Sequence, residues 1–312
     1  MNKEELGFEE FLLKLLRIEN MDDASEAFHI YKEVLFGLSI AHQDISGASE
    51  QQRDMKIILQ MMFTKVATLE THLYGIEFRS SLFNKNLNNI IDSTIVSSAV
   101  RGIFETVGMF NTVFVQPQTE EQRVILYNLW VIAGLKYRQG FNSLITLQKH
   151  LEKSETEKAK IELFKTEIFK TVLYSSLDDK SKGIIANKIK SKDYKISIDN
   201  NRVTQLSVQE AINKAGLEKT MGVHYNYFSL SAHPTYVGVF QFRQLFDTEK
   251  PQYIEMTLFN IDIALKLISV FIADYIKVFP TVGPFFKSLP LLHKSLIQTN
   301  NTKSRGNKYI IK

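Results

Sequence analysis

Hydrophobic positions along the chain recur mostly at helical spacing. Residues 7–20 place Phe8, Phe11, Leu12, Leu15 and Leu16 on one face, and residues 23–41 repeat an amphipathic pattern. A third run over 50–78 carries Met55, Ile58, Met62 and Val66 in its apolar stripe, with no proline to break it. Methionine fills irregular gaps, so this stripe reads as core. The same periodicity predicts a helix over about 87–115. Thr119 followed by Gln122 gives a capping box that starts a helix carrying Tyr127, Trp130, Tyr137 and Arg138, with a further helix after Gly140. Residues 149–170 alternate charge signs, with Ile161, Leu163, Phe164 and Ile168 entering as the apolar positions, which predicts a helix with a solvated face.

One stretch alternates instead. In residues 193–207, Tyr194, Ile196 and Ile198 precede an Asp-Asn-Asn turn signal and a short run through Val203, which predicts a β-hairpin. Ser207 with Glu210 forms a second capping box, and Gly216 marks the stop of that short helix. From Tyr253 an apolar helix of membrane-like length follows, but Glu255, Asp262, Lys266, Asp274 and Lys277 interrupt it. Four of these charges share a narrow stripe with Ser269, so the segment reads as a largely buried central helix.

The expected fold is therefore all-α, a multi-helix bundle with a small β-hairpin insertion at 193–206. A linker rich in proline, glycine or serine is missing, so residues 1–298 are expected to form a single helical domain and 299–312 a basic flexible tail.

Composition narrows the chemistry. The 312 residues include 38 basic and 34 acidic side chains, a nearly balanced surface unlike the field of a dedicated phosphate-backbone binder. With no cysteine, disulfides, thiolate nucleophiles and cysteine-ligated zinc are excluded, in keeping with a cytoplasmic, reducing environment. The acidic N-terminal stretch does not read as a signal peptide, and no membrane partner is expected. No cofactor is expected either: phosphate-cradling glycine loops, nucleophile elbows and HExxH are missing, and the Glu26-Ala-Phe-His29 spacing of di-iron bundles has no second copy. Six lysines between 180 and 195, next to Tyr194, make a minor case for nucleic acid.

The candidate chemistry lies in "HYNYFSLSAHPTYVGVF", residues 224–240. Tyr225, Ser229 and His233 stand at i, i+4 and i+8, which sweeps only about 80° of a helix and aligns all three on one face. Pro234 disfavours helical geometry at His233 and ends the stripe there. Arg101 and Glu105 form an i, i+4 pair in an otherwise small and apolar segment, and a charged pair in such a helix wants partners. Across a helix contact, the five residues make either a site or a buried structural network. In the site, His233 acts as general acid or base, Arg101 clamps an anion, and Tyr225 and Ser229 orient the substrate.

"VRGIFETVGMF" followed by "AGLEKTMGVHYNYFSLSAHPT" resembles a bacterial family of all-helical proteins of unknown function, over roughly residues 90–245. The resemblance implies an Arg-x-x-x-Glu helix, here Arg101 and Glu105, and a Tyr-x-x-x-Ser-x-x-x-His helix, here Tyr225, Ser229 and His233. That family is in turn similar to the HEPN helical ribonucleases and toxins, whose signature is an arginine, four to six intervening residues, then a histidine. This chain departs from it, with Asn226, Tyr227 and Phe228 in the arginine positions before His233. Three function classes stay open: a defence or stress effector acting on RNA or nucleotides, a non-catalytic module binding a small anion or nucleotide, and a scaffold or homo-oligomer module.

Overall fold

A computed structural model describes residues 3–42, 48–144, 146–232, 235–244 and 252–311. In chain order the first elements are α1 (Lys3–Arg17), α2 (Met21–Ala41), α3 (Glu50–Thr71), β1 (Ile76–Arg79), β2 (Asn86–Ile90) and α4 (Ser93–Phe110). Next come α5 (Glu120–Gln139), α6 (Gln148–Lys170), α7 (Val172–Ser176), α8 (Asp179–Ser191), β3 (Ile196–Asp199), β4 (Arg202–Gln205) and α9 (Val208–Lys214). The last are α10 (Glu218–Met221), α11 (His224–Ala232), α12 (Tyr236–Gln244), α13 (Gln252–Val278), α14 (Gly283–Ser288) and α15 (Leu291–Arg305). The fold is all-α, with two small antiparallel hairpins among the described residues.

Local chemistry explains most of these boundaries. Thr119 caps α5 by accepting from the Gln122 backbone N–H at 3.2 Å, and Ser207 and Glu210 complete a reciprocal capping box on α9. Gly216, just past the C-cap of α9, adopts φ +72 and ends that helix. Asn200 and Asn201 both take positive φ between β3 and β4, the conformation a two-residue hairpin demands, and Ile198 pairs with Val203.

Several expectations are corrected. The helix expected over 50–78 stops at Thr71, because Gly75 turns the chain at φ +70 into the first strand. The helix expected from 87 starts at Ser93, since the Asn-rich β2 pairs with β1, Phe78 opposite Leu87. Its C-terminal part, Asn111–Val115, widens into a π-helix. After Gly140 the chain makes a short 3₁₀ turn, Asn142–Leu144, before α6.

The chain divides into two compact units, 1–107 with 216–312, and 108–215. The physical reason is the separate apolar cluster of the second unit. Ile125, Leu129 and Ile132 of α5 pack with Ile161, Phe164 and Ile168 of α6, Ile185 of α8 and the inward residues of the hairpin, Ile196, Ile198 and Val203. Polar groups lock its edges. The Glu121 carboxylate accepts from the Val172 and Leu173 backbone N–H groups at 2.8 and 2.9 Å, capping α7, and Ser181 accepts from Val203 N–H at 3.0 Å.

The first unit is built around α13. The segment Ile254–Val278 is long and apolar enough to cross a membrane, and 78% of its most apolar window is buried inside the fold. Ile261, Ile268, Phe271 and Tyr275 are fully buried, as are Phe28, Tyr31 and Leu35 of α2, Leu59 and Met62 of α3, and Leu296 of α15. Each such side chain contributes about 1.5–3 kcal/mol. Ser269, grouped by sequence with the charged stripe, is buried in this core, its hydroxyl 2.6 Å from Tyr31 Oη. Residues 299–305, expected as part of a loose tail, are the last turns of α15, with Asn300, Asn301, Ser304 and Arg305 buried.

Candidate functional site

The sequence-selected residues meet in part, on α4 and α11 of the first unit. Arg101 Nε donates to Glu105 Oε1 at 3.0 Å, and the Arg101 guanidinium stands over the Tyr225 ring, 5.6 Å from its centroid. Phe104 packs against the same ring at 5.6 Å. Ser229 Oγ donates to the Tyr225 backbone carbonyl at 2.9 Å, a bond within its own helix. Glu105 is 57% exposed, and Arg101, Tyr225 and Ser229 are half-buried, so these four do not form a buried network. His233 lies outside the described residues. What the four can do chemically is hold a cation against an aromatic face, worth about 0.5–1 kcal/mol at an exposed site.

The other sequence candidates are dispersed. Of the six lysines between 180 and 195, Lys188 is buried on Asp193, Lys195 lies 3.8 Å from the same carboxylate, and Lys182 donates to the Ser175 carbonyl at 3.0 Å. Glu26 and His29 are exposed, and among the described residues no three His, Asp or Glu side chains are grouped to hold a metal. His42 is buried, hydrogen-bonded through Nδ1 to Tyr275 Oη and stacked on Phe279 at 4.3 Å. Burial, with a smaller push from Lys56, holds its pKa below the ordinary histidine value.

A different site emerges where a polar seam between α2, α13 and α15 reaches the surface. At the inner end, Asn300 Nδ2 donates to Tyr31 Oη at 2.9 Å, beside the Tyr31–Ser269 contact. Burial pushes the Tyr31 phenol up to about 12, partly offset by the Asn300 and Ser269 hydrogen bonds. At the outer end, Arg305 Nη1 donates to Asp274 Oδ1 at 2.7 Å, while its Nε and Nη2 donate to Asn301 Oδ1 at 3.2 and 3.1 Å. The ion pair is buried, with side chains only 2% and 3% exposed.

The chain beyond α15 folds back on this pair. Gly306 turns at φ +84, Asn301 Nδ2 donates to the Tyr309 carbonyl at 2.7 Å, and the Ile311 N–H donates to Gln298 Oε1 at 3.0 Å. The Tyr309 ring covers the Arg305 guanidinium at 4.4 Å, and its hydroxyl end rests on Gly216, where a Cβ would approach to 2.9 Å. On the other side, Phe285 of α14 packs directly over Gly37 of α2, where a Cβ would fall 2.0 Å from the ring.

The end of α13, α14, Arg305 at the end of α15 and the C-terminal turn line an open cleft of about 690 Å³. Its apolar walls include Ile276, Pro280, Pro284, Ile310 and Ile311, and its charged groups are Asp274, Arg305, Lys277, Lys287 and Lys308. Asp274 and Arg305 neutralise each other. The three lysines are exposed, and none is ion-paired among the described residues. Lys308 Nζ lies 5.1 Å from the Tyr309 ring centroid. The cleft therefore combines an apolar interior with three uncompensated positive charges, an arrangement suited to an anionic ligand of small-molecule size.

Sequence reasoning missed this site because its lysines are far apart in the chain and Lys308 was assigned to a loose tail. The available signal was the ending "SRGNKYIIK", a glycine stop followed by an aromatic and two isoleucines, which is a poor composition for a solvated tail. No family model, curated protein or solved structure matches this chain.

Proposed function

We propose that this protein is a binding module for a small phosphate-bearing molecule, seated in the cleft between α13, α14 and the C-terminal turn. One observation carries the reading: Lys277, Lys287 and Lys308 surround the cleft with no carboxylate partner among the described residues, while the one lining acid is committed to Arg305. Three lysines lining one cleft with partly apolar walls attract an anion. Binding is favoured over catalysis because no histidine among the described residues lines the cleft and its carboxylate is held in a buried ion pair, which supplies no free general base there. This belongs to the class of non-catalytic anion or nucleotide binders, with the ligand moved away from the Arg101/Tyr225 contact.

Thermal unfolding in the presence of phosphate, diphosphate and phosphate monoesters tests the reading. A ligand at a hundred times its Kd stabilises the folded state by about 2.7 kcal/mol. We expect a rise in Tm that weakens with added salt and is lost in the Lys277→Ala/Lys287→Ala/Lys308→Ala variant. An equal rise in wild type and variant, or none with any phosphorylated compound, overturns it.

A further inference from the structure

We infer that the ligand of this cleft is a phosphate monoester carried on an aliphatic body that makes no hydrogen bonds, the chemistry of an alkyl or isoprenoid phosphate rather than of a nucleotide. The inference rests on the reading of the cleft as a phosphate site and goes beyond it by specifying what the phosphate is attached to.

Size is the first argument. A space of about 690 Å³ falls within the range that holds drug-sized molecules, and a lone phosphate would leave most of it to water. The rest of the ligand has to match the walls, and those are aliphatic: Ile276, Pro280, Pro284, Ile310 and Ile311. Ile310 is 51% exposed without a ligand, so an apolar body has surface there to cover.

Hydrogen-bonding capacity is the second argument. A nucleobase is recognised by donors and acceptors aimed at its edges, and a buried edge without partners costs affinity. The polar side chains of this cleft are already committed. Arg305 spends Nε, Nη1 and Nη2 on Asn301 and Asp274. The Tyr309 carbonyl is taken by Asn301, and its hydroxyl end is turned onto Gly216. The lysine ammonium groups remain, and an ammonium reads charge without reading a planar edge. The side chains of the cleft thus recognise a charged head, while its body sees hydrocarbon.

Isothermal titration of the full chain with inorganic phosphate, butyl phosphate, octyl phosphate below its micelle concentration, and adenosine monophosphate tests this. Affinity should climb from phosphate through butyl to octyl phosphate, by roughly two- to fourfold per buried methylene. Adenosine monophosphate should bind no tighter than butyl phosphate. The Ile310→Ser variant should flatten the chain-length dependence while keeping the affinity for inorganic phosphate, which separates the wall from the charges. Tighter binding of the nucleotide than of octyl phosphate, or affinity independent of chain length, overturns the inference and leaves the phosphate site standing. Failure of all four probes overturns the phosphate site itself. Co-sedimentation with phosphatidylcholine vesicles containing phosphatidic acid distinguishes the source: uptake assigns the phosphate to a lipid headgroup, and octyl phosphate binding without uptake assigns it to a free molecule.

Discussion

Replacing Arg305 with methionine should unfold the first unit under much milder conditions. Its guanidinium is 2% exposed and faces an Asp274 side chain that is 3% exposed, so removing it leaves a carboxylate without its charge partner where water scarcely reaches. The Asn301 Oδ1 acceptor loses two donors at the same time. Breaking a buried pair from one side costs about 3–5 kcal/mol. For a unit of roughly two hundred residues that corresponds to a Tm lower by about 6–20 °C. The choice of probe matters, because the single tryptophan, Trp130, belongs to the other unit and its fluorescence reports unfolding there. Urea denaturation followed by hydrogen exchange of the α13 and α15 amides reads the relevant unit directly. Arg305→Lys should fall between methionine and wild type, since it restores the charge but cannot reach both Asp274 and Asn301 with a planar fork. A loss below about 1 kcal/mol for Arg305→Met, the size expected of an exposed ion pair, would refute the reading of this pair as a buried one.

Three further outcomes follow from single residues. Gly216→Ala forces a side chain into φ +72 and against the Tyr309 hydroxyl, so it should cost at least about 1 kcal/mol by urea midpoint and loosen the C-terminal turn; a neutral effect would contradict the packing of Tyr309 there. Tyr31 keeps its proton in the folded state up to about pH 12 but loses it near 10 when unfolded. The unfolded state therefore binds fewer protons between these values, and stability should fall as pH rises, by at most about 1.4 kcal/mol per unit from this group. The urea midpoint measured from pH 9 to 11 should decline less steeply in Tyr31→Phe than in wild type, and identical slopes would argue against a raised Tyr31. Arg101→Ala removes an i, i+4 pair with an exposed acid and a cation–π contact, so its cost should stay below about 1.5 kcal/mol; a loss above about 3 kcal/mol would restore the buried-network reading.

Element types were readable where the deciding chemistry is local. Thr119, Ser207 and the Asp-Asn-Asn turn act on neighbours within a few residues, and the elements they start or join are present as expected. The first hairpin was masked by the helical stripe that precedes it, although Ile76 and Phe78 stand at i, i+2, the spacing of a strand, and Gly75 turns the chain ahead of them. The last turns of α15 were hidden for the opposite reason. Asn300, Asn301, Ser304 and Arg305 look solvated by type, yet they face inward onto Tyr31 and Asp274. The division into two units left no trace in composition, since Gly108 and Gly216 are the first residues of chain segments that no Pro-, Gly- or Ser-rich linker announces.

A lysine is readable in sequence as a charge, but its effect depends on whether a carboxylate reaches it, and that is settled by the fold. The densest lysine run, 180–195, attracts attention first, yet the structure uses half of it internally: Lys188 and Lys195 on Asp193, and Lys182 on a backbone carbonyl. Lys277, Lys287 and Lys308 are separated along the chain, and nothing in their local sequence connects them. The end of α13, the short α14 and the turn after α15 bring them to one cleft, while the acid that lines it among the described residues, Asp274, is paired with Arg305. A buried Arg–Asp pair contributes little net stability compared with a well-packed apolar replacement. Its consequence here is electrostatic: with Asp274 neutralised internally, the three exposed lysines keep their full attraction for an anion. Asp274 should therefore be read as part of the site, although it has no direct role in holding a ligand.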